Sequence, residues 1–264
     1  MRLAVRHHTR LTYERPIAET HMELRLRPRP GAGQVVESYR LRVEPDSEIR
    51  DYTDAFANRV DYFNHLAPHD HVDVTSDSVV VTAAGVADPD GTDFPSDYLQ
   101  FRGPVQEVAG VRRLARGVKG DSVEARLDNL AVQINAKFEY RPQTTHVYTA
   151  VEEVIKAGTG VCQDFAHLFV AVARSLGLPA RYVSGYIHGG AGHQGAGASH
   201  AWAEALVPGL GWVGYDPTNP IRTSEHHVRV AVGRDYQDVA PTRGTYLGAA
   251  EEVMTVEVTT RVAD

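Results

Sequence analysis

The hydrophobic pattern of this chain changes its period once, and this change limits the fold more than any other feature. Up to about residue 84 the apolar residues form short runs, and in Glu23–Arg27 and Tyr39–Val43 they alternate with charged residues. A period of two is typical of strands whose sheet has one wet face. From about residue 104 the apolar residues recur at helical spacing. We therefore expect a small antiparallel sheet or sandwich first, and a region with helices after it.

Turn-forming residues divide these two regions. The stretch Asp88–Asp93 is rich in proline, glycine and aspartate, and it predicts a domain boundary. We assign residues 1–90 to a β-rich N-terminal domain and residues 91–264 to a second domain with C-terminal strands. In the second domain, Pro104, Asp121 and Thr149 are predicted near the starts of three helices. Strands are predicted at 181–187, 199–206, 211–216, 227–232 and 254–258.

Composition excludes several classes of function. The net charge is −7 and lysine and arginine do not cluster, so nucleic acid is not an expected partner. No apolar run is long enough to span a membrane, and the first residues lack a signal-peptide core. The only cysteine of 264 residues cannot form an internal disulfide. We predict a cytoplasmic protein without membrane contact, and we make no prediction of its oligomeric state.

That cysteine, Cys162, stands at a chemically favourable place. Gly158 and Gly160 precede it, and an apolar stripe that begins at Phe165 predicts a helix from about Cys162 onward. Unpaired N–H groups and the dipole at a helix start favour a thiolate, which is the nucleophilic form of the side chain. A cysteine on the apolar face in mid-helix would instead be an inert core residue.

Two predicted strands that follow supply a base and a carboxylate. In Ser199–Leu206 the period of two places His200, Trp202 and Glu204 on one face. The next strand ends at Asp216, so on a hairpin His200 and Asp216 lie at the same end and can be neighbours. Cysteine, histidine and aspartate in this arrangement are typical of nucleophilic catalysis.

Each residue of the predicted site has a proposed role. Cys162 would attack an acyl carbon, His200 would exchange the proton, and Asp216 would orient the imidazole. The backbone N–H of Cys162 would stabilise the oxyanion, and Tyr140 and Gln163 are candidates for a second donor. Trp202 is a further candidate for contact with substrate or oxyanion. The alternative is structural: a buried cysteine, a core histidine and an aspartate that forms a turn.

Neither a metal nor a cofactor is predicted. The run His65–Asp73 has borderline spacing for metal ligands, and we interpret it as a loop ahead of a strand. Gly190, Gly192 and Gly195 match a dinucleotide fingerprint in spacing, but a strand follows them where the phosphate site needs a helix. We interpret this stretch as a hairpin loop.

Four blocks of the sequence resemble the core of the bacterial transglutaminase-like superfamily. They are Gly160–Ala166, Gly177–Tyr186, Ser199–Trp202, and Gly211–Trp212 with Asp216–Asn219. Glu23–Pro28 and Asn58–Phe63 also resemble the β-rich region that precedes this core in bacterial members, and Val230–Tyr236 resembles the tail of the same group. The resemblance implies an α+β fold: a papain-like transglutaminase core, with the cysteine helix packed on an antiparallel sheet, after a small β-rich N-terminal domain.

The same resemblance implies that Cys162, His200 and Asp216 form the catalytic triad. The sequence departs from the family pattern at Ala57, where a glycine is expected in a turn of the N-terminal domain that leaves the site untouched. The family includes peptide hydrolases and amide-exchange enzymes, so three functions stay open. We prefer a cysteine protease or amidase acting on peptides or proteins, because cross-linking would be hard to control in the cytoplasm. The alternatives are a transglutaminase that transfers the acyl group to amines and a non-catalytic binding module.

Overall fold

A computed structural model describes residues 1–86, 88, 95–189, 194 and 197–263. The strands among these residues are β1 (Arg2–Ile17), β2 (Glu19–Leu24), β3 (Gln34–Glu44), β4 (Arg50–Thr53), β5 (Arg59–His65), β6 (His69–Thr82), β7 (Glu139–Tyr140), β8 (Thr159–Gly160), β9 (Ala180–Ile187), β10 (His200–Val207), β11 (Gly211–Asp216), β12 (Ile221–Arg222), β13 (His227–Gly233), β14 (Thr242–Leu247) and β15 (Glu252–Val262). The α-helices are α1 (Ala109–Gly117), α2 (Val123–Lys137), α3 (Val151–Ala157), α4 (Cys162–Ser175) and α5 (Tyr236–Val239).

Two four-stranded antiparallel sheets form the expected sandwich, in the orders β15-β1-β6-β3 and β14-β2-β5-β4. In β1 every second side chain is buried over most of the strand, which matches one wet face and one core face. Apolar residues such as Leu11, Phe63 and Val72 share one core cluster in this region. Both C-terminal strands belong to these sheets, because β14 pairs with β2 and β15 pairs with β1.

This pairing bears on the predicted division into domains. The C-terminal strands complete the sheets of the N-terminal region, although we assigned them to the second domain. The boundary near residue 90 stays a prediction, since residues 87 and 89–94 lie outside the described part of the chain.

A five-stranded antiparallel sheet, ordered β12-β11-β10-β9-β13, carries helix α4 on one face. Alanines of β10, Ala203 and Ala205, lie in the same apolar core as Leu168 and Phe169 of α4. Small side chains on the strand let the helix approach the sheet closely. The predicted α+β class, with the cysteine helix packed on an antiparallel sheet, is confirmed.

Several predicted helix starts are shifted by a few residues. Helix α1 begins at Ala109 rather than near Pro104, because Val105 closes a turn by donating its N–H to the carbonyl of Arg102. Ser122, and not Asp121, caps α2: its Oγ accepts the N–H of Ala125 at 3.1 Å. Helix α3 begins at Val151, where the Glu153 carboxylate accepts the N–H of Ala150, rather than at a Thr149 cap.

Three smaller expectations concern a histidine-rich run, a glycine pattern and membrane spans. The run His65–Asp73 lies mostly in β5 and β6 rather than in a loop. The glycines of the dinucleotide-like spacing, at 190, 192 and 195, lie outside the described residues. No α-helix within the described ranges is long and apolar enough to cross a membrane.

Asn58 ties the sandwich to the five-stranded sheet. Its side-chain amide donates to the carbonyl of Val232 at 2.8 Å and its oxygen accepts the N–H of Val232 at 2.9 Å. The preceding residue, Ala57, adopts φ 58°, a left-handed conformation that favours glycine. This conformation explains why a glycine is expected at position 57. The turn immediately precedes Asn58, which makes the contact with Val232.

A buried group of four charges joins the face of the sheet opposite α4 to Asp88. Arg181 donates to Glu204 at 2.7 Å and to Asp88 at 3.1 Å, and Arg229 donates to Asp88 at 2.7 Å. Each of the four is at most 5 % exposed. Two cations and two anions balance, so their burial leaves no net charge inside the protein.

Candidate active site

Cys162 is the first residue of helix α4, as predicted, and its side chain is partly exposed. Asp164 closes the turn before the helix, because its Oδ2 accepts the Val161 N–H at 2.8 Å and the Thr145 hydroxyl at 2.6 Å. The first backbone bonds of the helix are donated by Asp164 and Phe165 to Val161. Among the described residues, none accepts the N–H of Cys162, which is therefore available to an oxyanion.

His200 and Asp216 are brought together at the same end of the five-stranded sheet. His200 begins β10 and Asp216 ends β11, and His200 Nε2 lies 2.8 Å from Asp216 Oδ2. Their exposed fractions are 1 % and 0 %, so neither group is free to turn into solvent. Since Nε2 is engaged by Asp216, Nδ1 is the nitrogen left to exchange a proton with a thiol. Nδ1 is buried and has no nitrogen or oxygen partner among the described residues.

Within the described part of the chain, five N–H groups donate hydrogen bonds to the Asp216 carboxylate. Oδ1 accepts the backbone N–H groups of Thr218 at 2.9 Å and Asn219 at 3.2 Å. Oδ2 accepts His200 Nε2 at 2.8 Å, the side-chain amide of Asn219 at 3.0 Å and His227 Nε2 at 3.3 Å. A buried carboxylate with this many donors is held ionised and in one orientation.

The electrostatics of the pair favour a charged imidazole. Burial lowers the pKa of His200, but the Asp216 carboxylate and the Cys162 sulfur outweigh burial and raise it from 6.5 to about 10. Burial raises the pKa of Asp216, but His200 and His227 outweigh burial and hold that pKa well below its usual range. A protonated His200 beside Cys162 is the partner that a thiolate needs.

Both candidate oxyanion donors, Tyr140 and Gln163, lie near Cys162, and their role stays a prediction. The backbone of Tyr140 pairs with Gly160, two residues before the cysteine. Burial, followed by the charges of Cys162, Asp216 and Asp164, raises the pKa of Tyr140 to about 12, so its phenol keeps its proton and can donate. Gln163 follows the cysteine on α4, and its side chain offsets part of the burial that raises the pKa of Asp164.

Trp202 does not lie where a substrate could touch it. Its indole is 1 % exposed and shares an apolar cluster with Val183 and Val232. A Cβ on Gly185 would lie 2.5 Å from the indole, so glycine is required at that position of β9. The assignment to substrate contact is therefore corrected: Trp202 lies beneath the two histidines, with its ring 6.1 Å from that of His200 and 5.2 Å from that of His227.

His227 is a part of the site that the sequence did not reveal. The predicted strand at 227–232 gave no reason to distinguish this histidine from its neighbours. Strands β9 and β10 lie between β13 and β11 in the sheet, and only the tertiary structure shows that the histidine at the start of β13 reaches Asp216. Asn219 could have been inferred, because an aspartate followed by Pro-Thr-Asn is typical of a turn closed on the aspartate.

A metal ion could in principle share His200, Asp216 and His227, whose ligand atoms lie within 4.8 Å of one another. However, both imidazole Nε2 atoms lie at hydrogen-bond distance from the same carboxylate oxygen, at 2.8 and 3.3 Å. Hydrogen bonds between these groups account for their closeness. The absence of a metal from the proposed chemistry stays a prediction.

Comparison with known proteins identifies the family of this chain. Residues 111–217 match the transglutaminase-like superfamily, and residues 3–81 match the bacterial transglutaminase-like N-terminal region. An uncharacterized protein of Mycobacterium leprae is 36% identical over 276 residues, covering 98% of each chain. One from Mycobacterium tuberculosis H37Rv is 33% identical over 291 residues, covering 97% of this chain and 91% of that one.

A solved structure shares the whole fold. The crystal structure described as that of "a Putative Cysteine Protease from Cytophaga hutchinsonii" has a TM-score of 0.79 and 23% sequence identity, and the match covers 100% of this chain and 92% of that one. At this identity the likeness concerns the fold alone. With relatives above 30% identity along nearly its full length and two family matches, the chain belongs to the transglutaminase-like superfamily and carries the bacterial transglutaminase-like N-terminal region.

Proposed function

We propose that this protein is a thiol enzyme that opens amide bonds of peptides or proteins through an acyl-thioester on Cys162. One observation carries the proposal: a partly exposed cysteine at a helix start accompanies the buried imidazole of His200, whose Nε2 is held by the ionised carboxylate of Asp216. Each of these residues alone has a structural explanation. Together they supply a nucleophile, a base and an orienting group.

In the first half of the reaction, His200 Nδ1 holds the proton of the Cys162 thiol. The sulfur attacks the amide carbon, so that an S–C bond forms and the carbonyl oxygen becomes negative. The N–H of Cys162 stabilises this oxygen, and the phenol of Tyr140 is proposed as the second donor. His200 then gives its proton to the amine nitrogen, the C–N bond breaks, and a thioester remains on Cys162.

In the second half, the acyl group leaves the sulfur. His200 removes a proton from water, the hydroxide oxygen bonds to the acyl carbon, and the S–C bond breaks to release a carboxylic acid. A primary amine in place of water would instead give a new amide, which is transglutaminase chemistry. We favour hydrolysis because Cys162 is partly exposed, so that water reaches the thioester, whereas transfer needs a site that holds an amine and excludes water.

The test is reaction of the full chain with a peptide library, with and without a labelled primary amine, followed by mass spectrometry. We expect cleaved or deamidated peptides that carry no amine label. Cys162→Ala, which removes only the sulfur, is the matched control and should abolish the reaction while the fold is retained.

Three other outcomes would overturn parts of the proposal. Incorporation of the amine would make the protein a transferase. Turnover that persists in Cys162→Ala would remove the sulfur from the mechanism. No reaction in either protein, with binding of library peptides, would indicate a binding module on this fold.

A further inference from the structure

We infer that His227 is a positioning residue for the thiol–imidazole pair: it holds the Asp216 carboxylate in the orientation that His200 needs. This inference rests on the proposed function, since it concerns the same site. Nothing in the pattern around His227 distinguishes it in the sequence, and its role follows from the ends of three strands meeting at one carboxylate.

The hydrogen bonds of His227 define which of its nitrogens carries the proton. The backbone N–H of Ser224 donates to His227 Nδ1 at 3.2 Å, so Nδ1 is an acceptor. In the neutral ring the proton is then on Nε2, which lies 3.3 Å from Asp216 Oδ2. The backbone N–H of His227 also donates to the carbonyl of Ser224 at 3.0 Å, and this bond closes a tight turn beside the ring. His227 therefore presents one fixed N–H to the carboxylate.

Packing leaves this imidazole little freedom to do anything else. His227 is 5 % exposed and its ring meets the Trp202 indole edge-on at 5.2 Å. The same indole lies 6.1 Å from the ring of His200. The Trp202 indole therefore packs against both imidazoles. The two imidazoles, one from β10 and one from β13, hydrogen bond to the same oxygen of Asp216.

The consequence concerns the direction of the carboxylate. The backbone of Thr218 and Asn219 anchors Oδ1, while Oδ2 takes the shortest of its bonds from His200. If His227 Nε2 is removed, Oδ2 keeps the His200 and Asn219 donors but loses the donor from β13 that opposes rotation about the Cβ–Cγ bond. A misdirected carboxylate stabilises the imidazolium less, so the thiolate of Cys162 is less populated and less reactive.

Two isosteric variants separate this role from a purely structural one. In His227→Gln the amide nitrogen occupies the place of Nε2 and can still donate to Asp216. In His227→Asn the side-chain oxygen occupies the place of Nδ1 and still accepts from Ser224, but the side chain is too short to reach Asp216. His71→Asn is the surface control: His71 is a half-buried histidine of β6 whose Nδ1 lies 2.7 Å from a carboxylate oxygen of the neighbouring Asp70.

The measurement is the rate of alkylation by iodoacetamide across pH in the full chain. It needs no substrate, and Cys162 is the only cysteine, so the label reports one site. We expect His227→Asn to react about tenfold more slowly than wild type at neutral pH, which corresponds to the loss of one hydrogen bond to a charged group. His227→Gln should recover most of that rate, and His71→Asn should match wild type.

Urea unfolding of each variant accompanies the kinetics. If His227→Asn does not fold, His227→Phe replaces it, because it keeps the ring against Trp202 and removes both nitrogens. Equal rates in the wild-type and Asn proteins, or equal losses in the Asn and Gln proteins, would overturn the inference. His200→Ala separates a failure of the proposed function from a failure of the role of His227. Alkylation of His200→Ala at the wild-type rate would contradict the proposed function. Slow alkylation of His200→Ala with a wild-type rate in His227→Asn would contradict only the role of His227.

Discussion

Replacing Asp216 with asparagine is the sharpest test of the site, because the five described groups that hydrogen bond to this carboxylate are all donors. An amide offers one acceptor oxygen and brings two N–H groups of its own. If its oxygen faces Thr218 and Asn219, its nitrogen opposes His200 and His227, and the reverse orientation opposes the backbone donors. In either orientation, at least two buried donors lose their acceptor.

The magnitude follows from these contacts. Each buried donor left without a partner costs about 1–3 kcal/mol, so we expect Asp216→Asn to lower the free energy of unfolding by about 3–5 kcal/mol. The pKa of His200 should fall as well. Burial, which lowers it, is the largest influence on this imidazole, and Asp216 supplies the main opposing one. In the variant the neutral imidazole is therefore favoured at pH 7, and alkylation of Cys162 should slow markedly.

The pH dependence of the wild-type protein has a defined sign. The pKa of His200 is raised from 6.5 to about 10, so its protonated form stabilises the fold fully below pH 6.5, and this contribution is lost as the pH rises toward 10. The pKa of Asp216 is lowered from 3.8, so its contribution is present above pH 3.8 and is lost as the pH falls below that value. Asp216→Asn should remove both dependences.

The assay is urea unfolding from pH 3 to pH 10 together with iodoacetamide kinetics. Asp128→Asn is the control, because Asp128 forms a surface ion pair with Arg222 in which both side chains are more than 40 % exposed. It should cost less than about 1 kcal/mol. An Asp216→Asn protein with the stability and alkylation profile of wild type would refute the assignment of Asp216 as the partner of His200.

Three further predictions concern other parts of the molecule. Tyr140→Phe should lower kcat on a reactive library peptide by about 100-fold with little change in KM, as for the loss of one oxyanion donor, and an unchanged kcat would leave the second donor elsewhere. Glu204→Gln leaves the buried Arg181 with only part of its counter-charge and should lower the free energy of unfolding in urea by about 3–5 kcal/mol. The control Glu152→Gln, at an exposed i,i+4 pair, should cost about 0.5 kcal/mol, and equal losses in both variants would contradict the role of the buried charges. Ala57→Gly should raise the free energy of unfolding by about 0.5–1 kcal/mol because the backbone there is left-handed, and a loss of stability would contradict this.

Local patterns in the sequence were sufficient for much of the site. A glycine turn followed by an apolar stripe places Cys162 at the start of a helix, and this is where the helix begins. The period of two in β10 and the proline after Asp216 bring His200 and Asp216 to the same end of adjacent strands. Such features depend on residues within a few positions of one another, so a single sequence contains them.

Other predictions were wrong because they depended on contacts that the local sequence does not contain. Trp202 alternates correctly with His200 along β10, but the bare Cα of Gly185 on the neighbouring strand accommodates its ring and keeps it from substrate. Helix α1 starts later than Pro104 because a turn through Arg102 and Val105 precedes it. Helix caps shifted by a residue or two for the same reason, since each cap depends on which side chain reaches the first N–H groups.

The sequence alone was sufficient to propose Cys162 as the nucleophile with His200 and Asp216 as its partners, and to predict the change from a β-rich to a helical region, because each is encoded in short-range spacing. Tertiary structure alone decided that β14 and β15 return to the N-terminal sheets and that β13 lies beside β9. It also decided that His227, at the start of β13, lies within hydrogen-bond distance of Asp216, at the end of β11. Pairing between strands far apart in the chain depends on how complementary faces bury each other, and that is a property of the whole fold.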